Sequence, residues 1–253
     1  MSSEALHSSE MLKKALFALP PGLPVTMSHL KGFGISRQLV HHYVQHGWLT
    51  QLGYGYYLRP GDKLTETGSV ASLQANGVAV HIGGKSALAL KGFTHYLNMG
   101  EKTLTLFGRG VRTLPKWFQQ QFKAVLSNSR LFDDPEEPAD QYGVSRLSQT
   151  ADAPLVSEPE RAVLEMLDLV PKQQTFEEAR QIMEGLQSLR SKKMQELLTH
   201  CKKIKVKRLF WQIAAELQLP VLKKIDVSEV NFGSKSVYIL QGEKTLVLRN
   251  PNG

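Results

Sequence analysis

The segment from Ile35 to Gly47, ISRQLVHHYVQHG, is the feature that most limits how this chain can fold. Projected at about 100° per residue, its apolar side chains fall in one half of a helical wheel and its polar side chains fall in the other half. Gly32 and Gly34 supply a tight turn before it, Ser36 can serve as its N-cap, and Gly47 can close it. The segment is therefore predicted to be an amphipathic helix with one face on a core.

Two further helices are predicted before this segment, and a hairpin after it. The apolar residues of SEMLKKALFAL, positions 9 to 19, have helical spacing, and the Pro-Pro-Gly sequence that follows ends that helix. Thr26 is a suitable N-cap for a short helix that runs through Leu30 and Lys31. Residues 48–52 and 54–58 are expected to be strands that turn near Gly53. Three helices and a hairpin within about sixty residues predict a winged helix-turn-helix.

The second helix of such a motif lies in the major groove of DNA. The face that this helix would offer to DNA holds only hydrogen-bonding side chains and no carboxylate: Ser36, Arg37, Gln38, His41, His42 and Gln45. Arg37 could bind O6 and N7 of a guanine, and Gln38 could pair with the edge of an adenine. On the wing, the candidates for sugar and phosphate contacts are Gln51, Tyr54 and Tyr56. Winged helices also serve as protein-docking modules, and this alternative stays open.

Composition is compatible with two globular domains and a polyanionic partner. The chain has 253 residues, 42% of them hydrophobic and 21% charged, and its net charge of +8 favours nucleic acid over cationic partners. The single cysteine, Cys201, excludes an internal disulfide and the usual thiolate zinc sites. No apolar run is long enough to span a bilayer, and the N-terminal residues do not match a signal peptide. A cytoplasmic location without a metal or cofactor is expected.

The polar sequence KLTETGS after residue 62 is interpreted as a domain joint, which gives a DNA-binding domain at 1–62 and a mixed α/β domain at 63–253. A helix is predicted near residues 69–77, strands at 103–110 and 122–128, and two or three more strands between Val230 and Arg249. Overall the fold class is α+β. The acidic run between Asp133 and Asp140 is expected to be an exposed loop rather than a metal or acid-base site, because prolines interrupt it.

The sequence GGKS, Gly83 to Ser86, is similar to the end of a phosphate-binding loop. Such a loop needs a glycine five residues before the Gly-Lys pair, and Ala79 stands there. The preferred interpretation is a turn into a buried helix with Ser86 as its N-cap. A nucleotide-binding enzyme that uses Lys85 and Ser86 is kept as the less favoured alternative.

A second strong helix signal and a basic stretch follow. In SEPERAVLEMLDLV, Ser157 and Glu160 match a capping box, and Pro159 suits the first turn. Between positions 188 and 208, eight basic residues oppose Glu196 alone: Arg190, Lys192, Lys193, Lys202, Lys203, Lys205, Lys207 and Arg208. This stretch could follow a nucleic-acid backbone, bind an acidic partner, or form a solvated helix face.

The order of these parts resembles the AbiEi family of type IV antitoxins. The likeness consists of GIS at the start of the recognition helix, GWL after it, the wing GYGYYL, and the helices SALALKG and SEPERAVLE, from Leu23 to about Asp168. It implies a transcriptional autorepressor without enzymatic activity that binds inverted repeats before its own operon. It also implies a C-terminal domain that counteracts a nucleotidyltransferase-like toxin, with or without direct binding. The DNA contacts implied are the five exposed side chains between Arg37 and Gln45 named above.

Overall fold

The computed structural model describes residues 3–93, 103–132, 142–242 and 245–253. It confirms the α+β class, with a winged helix-turn-helix at the N-terminus and a mixed α/β part after it. The acidic run between Asp133 and Asp140 lies outside the described residues, so its assignment as a loop stays a prediction. The boundary between residues 62 and 63 stays a prediction as well. Within the described ranges, no helix is both long enough and apolar enough to cross a membrane.

Three helices and a small antiparallel sheet form the N-terminal unit. Its elements are α1 (Ser3–Phe17), β1 (Val25–Thr26), α2 (Met27–Gly32), α3 (Arg37–Gln45), β2 (Thr50–Gly53) and β3 (Tyr56–Leu58). The strands are ordered β1-β3-β2, with Val25 opposite Tyr57 and Thr50 opposite Leu58. The hairpin turns at Tyr54 and Gly55, next to the predicted position near Gly53, and Gly55 takes the positive φ of 77° that the turn needs.

Both caps predicted for the helix-turn-helix are confirmed. The Thr26 hydroxyl accepts a hydrogen bond from the His29 N–H at 3.1 Å, and the Ser36 hydroxyl accepts one from the Leu39 N–H at 3.2 Å. The apolar face of α3 buries Val40 and Tyr43. They join a separate small core with Leu12, Ala15, Val25, Leu30, Ile35 and Leu49. This core fixes α3 with its polar face outward.

A five-stranded mixed sheet forms the middle of the chain. Its elements and those around it are α4 (Glu66–Ala75), β4 (Val80–Ile82), α5 (Gly84–Leu90), β5 (Leu104–Gly108), α6 (Lys116–Gln121), β6 (Ala124–Ser127), β7 (Val144–Arg146), β8 (Leu155–Ser157) and α7 (Pro159–Asp168). The strand order is β6-β5-β4-β8-β7. Strands β5 and β6 are parallel and are connected through α6, whereas β4 is antiparallel to β5 and parallel to β8.

Two predicted helix caps are wrong. Helix α5 begins at Gly84 with Gly83 as its N-cap, and Ser86 lies within the helix, where its hydroxyl accepts a hydrogen bond from the Thr105 N–H at 2.9 Å. Helix α7 has Glu158 as its N-cap and Pro159 in its first turn, as expected, but Ser157 ends strand β8. Its hydroxyl donates to the Glu165 carboxylate at 2.7 Å. Both hydroxyls thus bond to tertiary partners and do not cap a helix.

Helices make up most of the C-terminal part, and a short hairpin ends it. The elements are α8 (Phe176–Glu184), α9 (Ser191–His200), α10 (Ile204–Glu216), two 3-10 helices (Pro220–Lys224 and Val227–Glu229), β9 (Tyr238–Leu240) and β10 (Leu246–Leu248). Strands β9 and β10 are antiparallel. One large core joins this part to the sheet, and Tyr56 of the wing also belongs to that core.

Candidate nucleic-acid interface

The outer face of α3 presents the polar side chains that the wheel separated from the core. The side chains of Arg37, Gln38, His41, His42 and Gln45 are all exposed. Ser36 is exposed too, but its hydroxyl is engaged in the cap. No described carboxylate interrupts this face of α3. A duplex that approached it would meet hydrogen-bonding groups without charge repulsion.

Contacts within the helix hold several of these side chains in place. Gln45 Nε2 and His41 Nε2 lie 3.0 Å apart, one helical turn from each other. The rings of His42 and His46 stack with their centroids 4.0 Å apart. His46 and the half-exposed Trp48, which stacks on Tyr43, extend the face at its C-terminal end. The sequence interpretation missed both, although aromatic residues directly after a recognition helix are a signal for them.

Two of the three wing residues predicted to contact DNA are exposed. Tyr54 stands at the tip of the hairpin with 87% of its surface exposed, and Gln51 is exposed on β2. Tyr56 is only 4% exposed, and its ring packs on Trp117 with the centroids 5.2 Å apart. The prediction that Tyr56 contacts DNA is therefore wrong, because alternate residues of a strand face opposite sides and this one faces the core.

A cleft of about 480 Å³ separates α3 from the wing. Arg37, His41, Gln51 and Tyr54 line it, together with Lys31 at the end of α2. Sequence reasoning did not include Lys31, although the first helix of a helix-turn-helix crosses the DNA backbone and its last turn is a natural phosphate contact. Burial raises the pKa of Tyr57, which also lines the cleft, so its phenol stays protonated at neutral pH and can donate a hydrogen bond.

Comparison with known families agrees with this architecture. Residues 8–99 match the family described as "Transcriptional regulator, AbiEi antitoxin N-terminal domain", and residues 101–247 match "Transcriptional regulator, AbiEi antitoxin, Type IV TA system". The chain belongs to the AbiEi antitoxin family. No curated protein matches the chain significantly.

A solved structure resembles this AbiEi chain along most of its length. It is the crystal structure of RV2827C protein from Mycobacterium tuberculosis, which is 14% identical in sequence. The TM-score is 0.54, and the match covers 92% of this chain and 87% of that chain. At this level of identity the likeness supports the fold alone.

The basic stretch between positions 188 and 208 of this AbiEi protein is not one open cationic surface. Arg190 donates hydrogen bonds to Glu160 at 2.7 Å and to Glu158 at 2.8 Å, and these bonds hold the pKa of Arg190 above its ordinary value. Lys193 lies 3.5 Å from the same Glu158. The charges of both side chains are matched by neighbouring carboxylates, while Lys192 is exposed.

Four of the other five basic residues of this stretch are engaged in the fold. Lys203 Nζ lies 2.7 Å from an Asp168 carboxylate oxygen, and Lys205 Nζ donates to the Asp168 and Val170 carbonyls. Lys207 and Arg208 are only 3% and 2% exposed. Their inclusion in a binding surface is wrong, because residues facing the core cannot reach a partner. Lys202 remains exposed, and any role of it in binding stays a prediction.

Arg208 has a structural role instead. Its guanidinium Nε donates to the Phe232 carbonyl at 2.8 Å, and Nη1 donates to the Ser236 carbonyl at 2.6 Å. These bonds attach α10 to the segment that leads into β9.

Cys201 is buried, and this burial raises the pKa of its thiol to about 11. The reactive thiolate is therefore disfavoured at neutral pH.

The phosphate-loop alternative for GGKS is wrong. The Lys85 ammonium lies 2.9 Å from the Glu178 carboxylate, and the Ser86 hydroxyl bonds to the backbone of β5. The Gly84 N–H, which a phosphate would need, donates to Glu165 Oε2 at 3.1 Å. A methyl group added at Gly83 would lie 2.3 Å from the same oxygen. A carboxylate of the protein itself therefore occupies the place of a phosphate.

Glu165 is the centre of a buried polar cluster behind that turn. Besides Gly84, its carboxylate accepts hydrogen bonds from Ser157 and from Arg161 Nε, the latter at 2.7 Å, and it lies 2.9 Å from His81 Nε2. Burial acts to raise the pKa of Glu165, but His81 and Arg161 outweigh burial and hold the pKa at about 2. The carboxylate is thus ionised at neutral pH and joins β4, α5, β8 and α7.

Proposed function

We propose that this AbiEi protein binds the DNA upstream of its own operon through α3 and thereby represses its own transcription. The observation that supports this proposal most directly is the exposed, acid-free face of α3 beside a cleft that the wing closes. Family membership as a transcriptional regulator supports the same function. The net charge of +8 adds long-range attraction to a phosphate backbone.

In this proposal the N-terminal half of α3 reads bases. Arg37 and Gln38 are exposed in its first turn, and the N-terminal residues of a recognition helix are those that reach base edges. An arginine can form two hydrogen bonds to guanine, and a glutamine can form two to adenine. His41 and Gln45, held together one and two turns later, would contact the next positions along the groove. Two copies on an inverted repeat would read two half-sites.

Residues around the cleft would contact the DNA backbone and fix the position of the protein on the duplex. Lys31 at the end of α2 and Tyr54 at the tip of the wing are exposed and line it from opposite sides. Their charge and hydroxyl suit phosphate oxygens, which position a protein without reading sequence. Changes in these residues should therefore lower the affinity for all sequences alike.

The deciding experiment compares Arg37→Ala/Gln38→Ala with wild type for binding to the upstream DNA and to random duplex, at two salt concentrations. The variant should lose affinity for the upstream DNA by at least roughly 30-fold, since it removes two bidentate base contacts that are worth about 1–3 kcal/mol each, while random duplex binding changes far less. Lys31→Ala should instead weaken both and reduce the salt slope by about 1. Lys172→Ala/Gln173→Ala is the matched control, because it removes one cation and one amide from an exposed site elsewhere.

Equal losses on both DNAs in the Arg37/Gln38 variant would mean that α3 is not the reading helix. Weak binding by the wild type that ignores sequence would contradict the repressor proposal and favour a protein-docking winged helix. The control variant guards against a general effect of charge, because it carries the same change in net charge. Thermal unfolding of each variant checks that the fold is retained.

We further propose that the protein counteracts a toxin and that this toxin is nucleotidyltransferase-like. The match to an antitoxin of a type IV toxin-antitoxin system supports the first part of this proposal. The Arg37→Ala/Gln38→Ala variant separates the two roles. Expressed from a foreign promoter with the toxin gene, it should still restore growth, because its changes lie on α3 alone. Loss of rescue by a well-folded variant would show that antagonism depends on the DNA-binding face.

A further inference from the structure

A second cleft, of about 360 Å³, opens at one edge of the five-stranded sheet. It lies beyond the carboxyl ends of the parallel strands β5 and β6, and the segments that leave these strands form its rim. Arg109 follows β5, and Asn128 and Arg130 follow β6. Crevices outside the carboxyl ends of parallel strands are frequent ligand sites, and this volume falls within the range of roughly 300–1,000 Å³ typical of small-molecule pockets.

The lining of this cleft is strongly cationic. Arg109, Arg130, Arg161 and Lys202 line it, and no Asp or Glu is among the described lining residues, although Arg161 is paired with Glu165 behind the cleft. Arg109 and Arg130 are exposed and form no ion pair with any carboxylate that the structure describes. Several guanidinium groups around one concavity are the arrangement that binds phosphate, because each can donate two parallel hydrogen bonds to phosphate oxygens.

The floor of the cleft is rigid and partly aromatic. Arg161 is held by Glu165 at 2.7 Å, and its guanidinium carbon lies 5.1 Å from the centroid of the Phe132 ring. His81 stacks on Phe107 at the other side, with the centroids 6.0 Å apart. The Asn128 amide donates to the Val111 carbonyl at 2.6 Å and so braces the two rim segments against each other. A floor whose side chains are held by these contacts needs little rearrangement when a ligand binds.

We propose that this cleft binds a free nucleoside di- or triphosphate, with its phosphates between the exposed Arg109 and Arg130 and its base against the apolar side chains of the lining, such as Phe107 and Phe132. The volume of about 360 Å³ is of the size of a small-molecule site, and the two exposed arginines at its rim suit an anionic ligand. The site is distinct from GGKS, where Lys85 is paired with Glu178 and the helix N-terminus is occupied by Glu165. It is also distinct from α3, and the proposal does not depend on how α3 binds DNA.

The test is calorimetry of the full chain with ATP and GTP, with adenosine as the phosphate-free probe and pyrophosphate as the base-free probe. Wild type should bind the nucleotides, bind pyrophosphate more weakly, and give no heat with adenosine. Arg109→Ala/Arg130→Ala should weaken nucleotide binding at least about tenfold, since hydrogen bonds to charged groups are strong. Arg112→Ala/Arg249→Ala removes two exposed arginines that do not line the cleft, and should leave the affinity unchanged.

Three outcomes would overturn the proposal. The first is the absence of heat with ATP or GTP at millimolar concentration, and the second is nucleotide binding that is weakened equally in the two double-arginine variants. The third is a single-stranded oligonucleotide that binds through Arg109 and Arg130 when free nucleotides do not. The Arg37→Ala/Gln38→Ala variant should bind nucleotides as wild type does. Its behaviour separates a failure of this proposal from a failure of the DNA-binding proposal, because the two variants change different surfaces.

Discussion

At the scale of single residues, Glu165 shows how a buried charge can be tolerated. A carboxylate that is almost fully buried is costly unless hydrogen bonds and opposite charges satisfy it. Glu165 has both, from His81, Arg161, Ser157 and the backbone of Gly84. The cluster joins positions 81 and 165, which are far apart in the chain, and it therefore stabilises tertiary structure rather than one element.

Substitution of Glu165 by Gln should lower the free energy of unfolding at pH 7 by about 3 kcal/mol, because it removes the buried negative charge that Arg161 and His81 face. Glu184→Gln is the control, since Glu184 forms an exposed pair with Arg180 and should cost less than about 1 kcal/mol. Urea denaturation of both variants measures the difference. Equal stability of the two variants would contradict a structural role for the cluster.

The same residue predicts a pH dependence. The pKa of Glu165 is about 2 in the folded protein and has its ordinary value of 4.5 in the unfolded chain, so the unfolded state takes up the proton first as the pH falls. The stability that Glu165 contributes is complete above pH 4.5 and is lost between there and about pH 2. Wild type should therefore lose more stability across this window than Glu165→Gln does, as measured by urea denaturation at several pH values.

At the scale of elements, α3 shows under which condition a serine that is predicted as an N-cap does cap its helix. Ser36 caps α3 as its position before an amphipathic segment predicts. Ser86 and Ser157 are predicted to cap in the same way, but Ser86 lies inside α5 and Ser157 lies one residue before the N-cap of α7. Ser36 is exposed, so no tertiary partner competes for its hydroxyl. The other two lie beside β5 and Glu165, which bind their hydroxyls instead.

Removal of the α3 cap should therefore have a measurable local cost. Ser36→Ala is expected to lower the free energy of unfolding by about 1 kcal/mol, because the Leu39 N–H loses its acceptor. Ser36→Asn should restore most of that stability, since asparagine is an equally good N-cap. Chemical denaturation compares the three proteins, and equal stability of the Ala and Asn variants would argue against the cap.

At the scale of the whole molecule, Trp117 connects the wing to the mixed sheet. It is 5% exposed, its ring packs on Tyr56, and a methyl group added at Gly53 of the wing would lie 2.9 Å from its Cδ1 atom. The wing thus rests on a residue of α6, which belongs to the part of the chain after residue 100. This contact links the wing, which carries Gln51 and Tyr54, to the rest of the chain.

Truncation of this side chain should destabilise the protein and disturb the wing. Trp117→Ala is expected to cost about 3–5 kcal/mol of unfolding free energy and to weaken DNA binding, since a cavity replaces the support of the hairpin. Trp117→Phe should cost clearly less, because Nε1 has no hydrogen-bond partner among the described residues and an aromatic ring is kept. Denaturation and DNA titration of both variants test this, and equal losses would contradict a packing role.

The sequence by itself determined the helices of the N-terminal unit, the polar face of α3 and the α+β class. These features follow from interactions between residues three or four positions apart and from the alternation of apolar side chains, which a single chain segment encodes. The wheel placed Arg37, Gln38, His41, His42 and Gln45 on one face, and all five are exposed. The order of the motifs along the chain also indicated the AbiEi family, which the family matches confirm.

Only the tertiary structure decided which partners the remaining polar side chains have. Periodicity states which way a side chain points, but it does not state what lies there, because that depends on segments distant in the chain. Tyr56 therefore faces Trp117, Lys207 and Arg208 are buried, and Glu165 occupies the turn that resembled a phosphate loop. For the same reason, Arg109, Arg130 and Arg161 line one cleft although no sequence motif unites them, since the sheet brings them together.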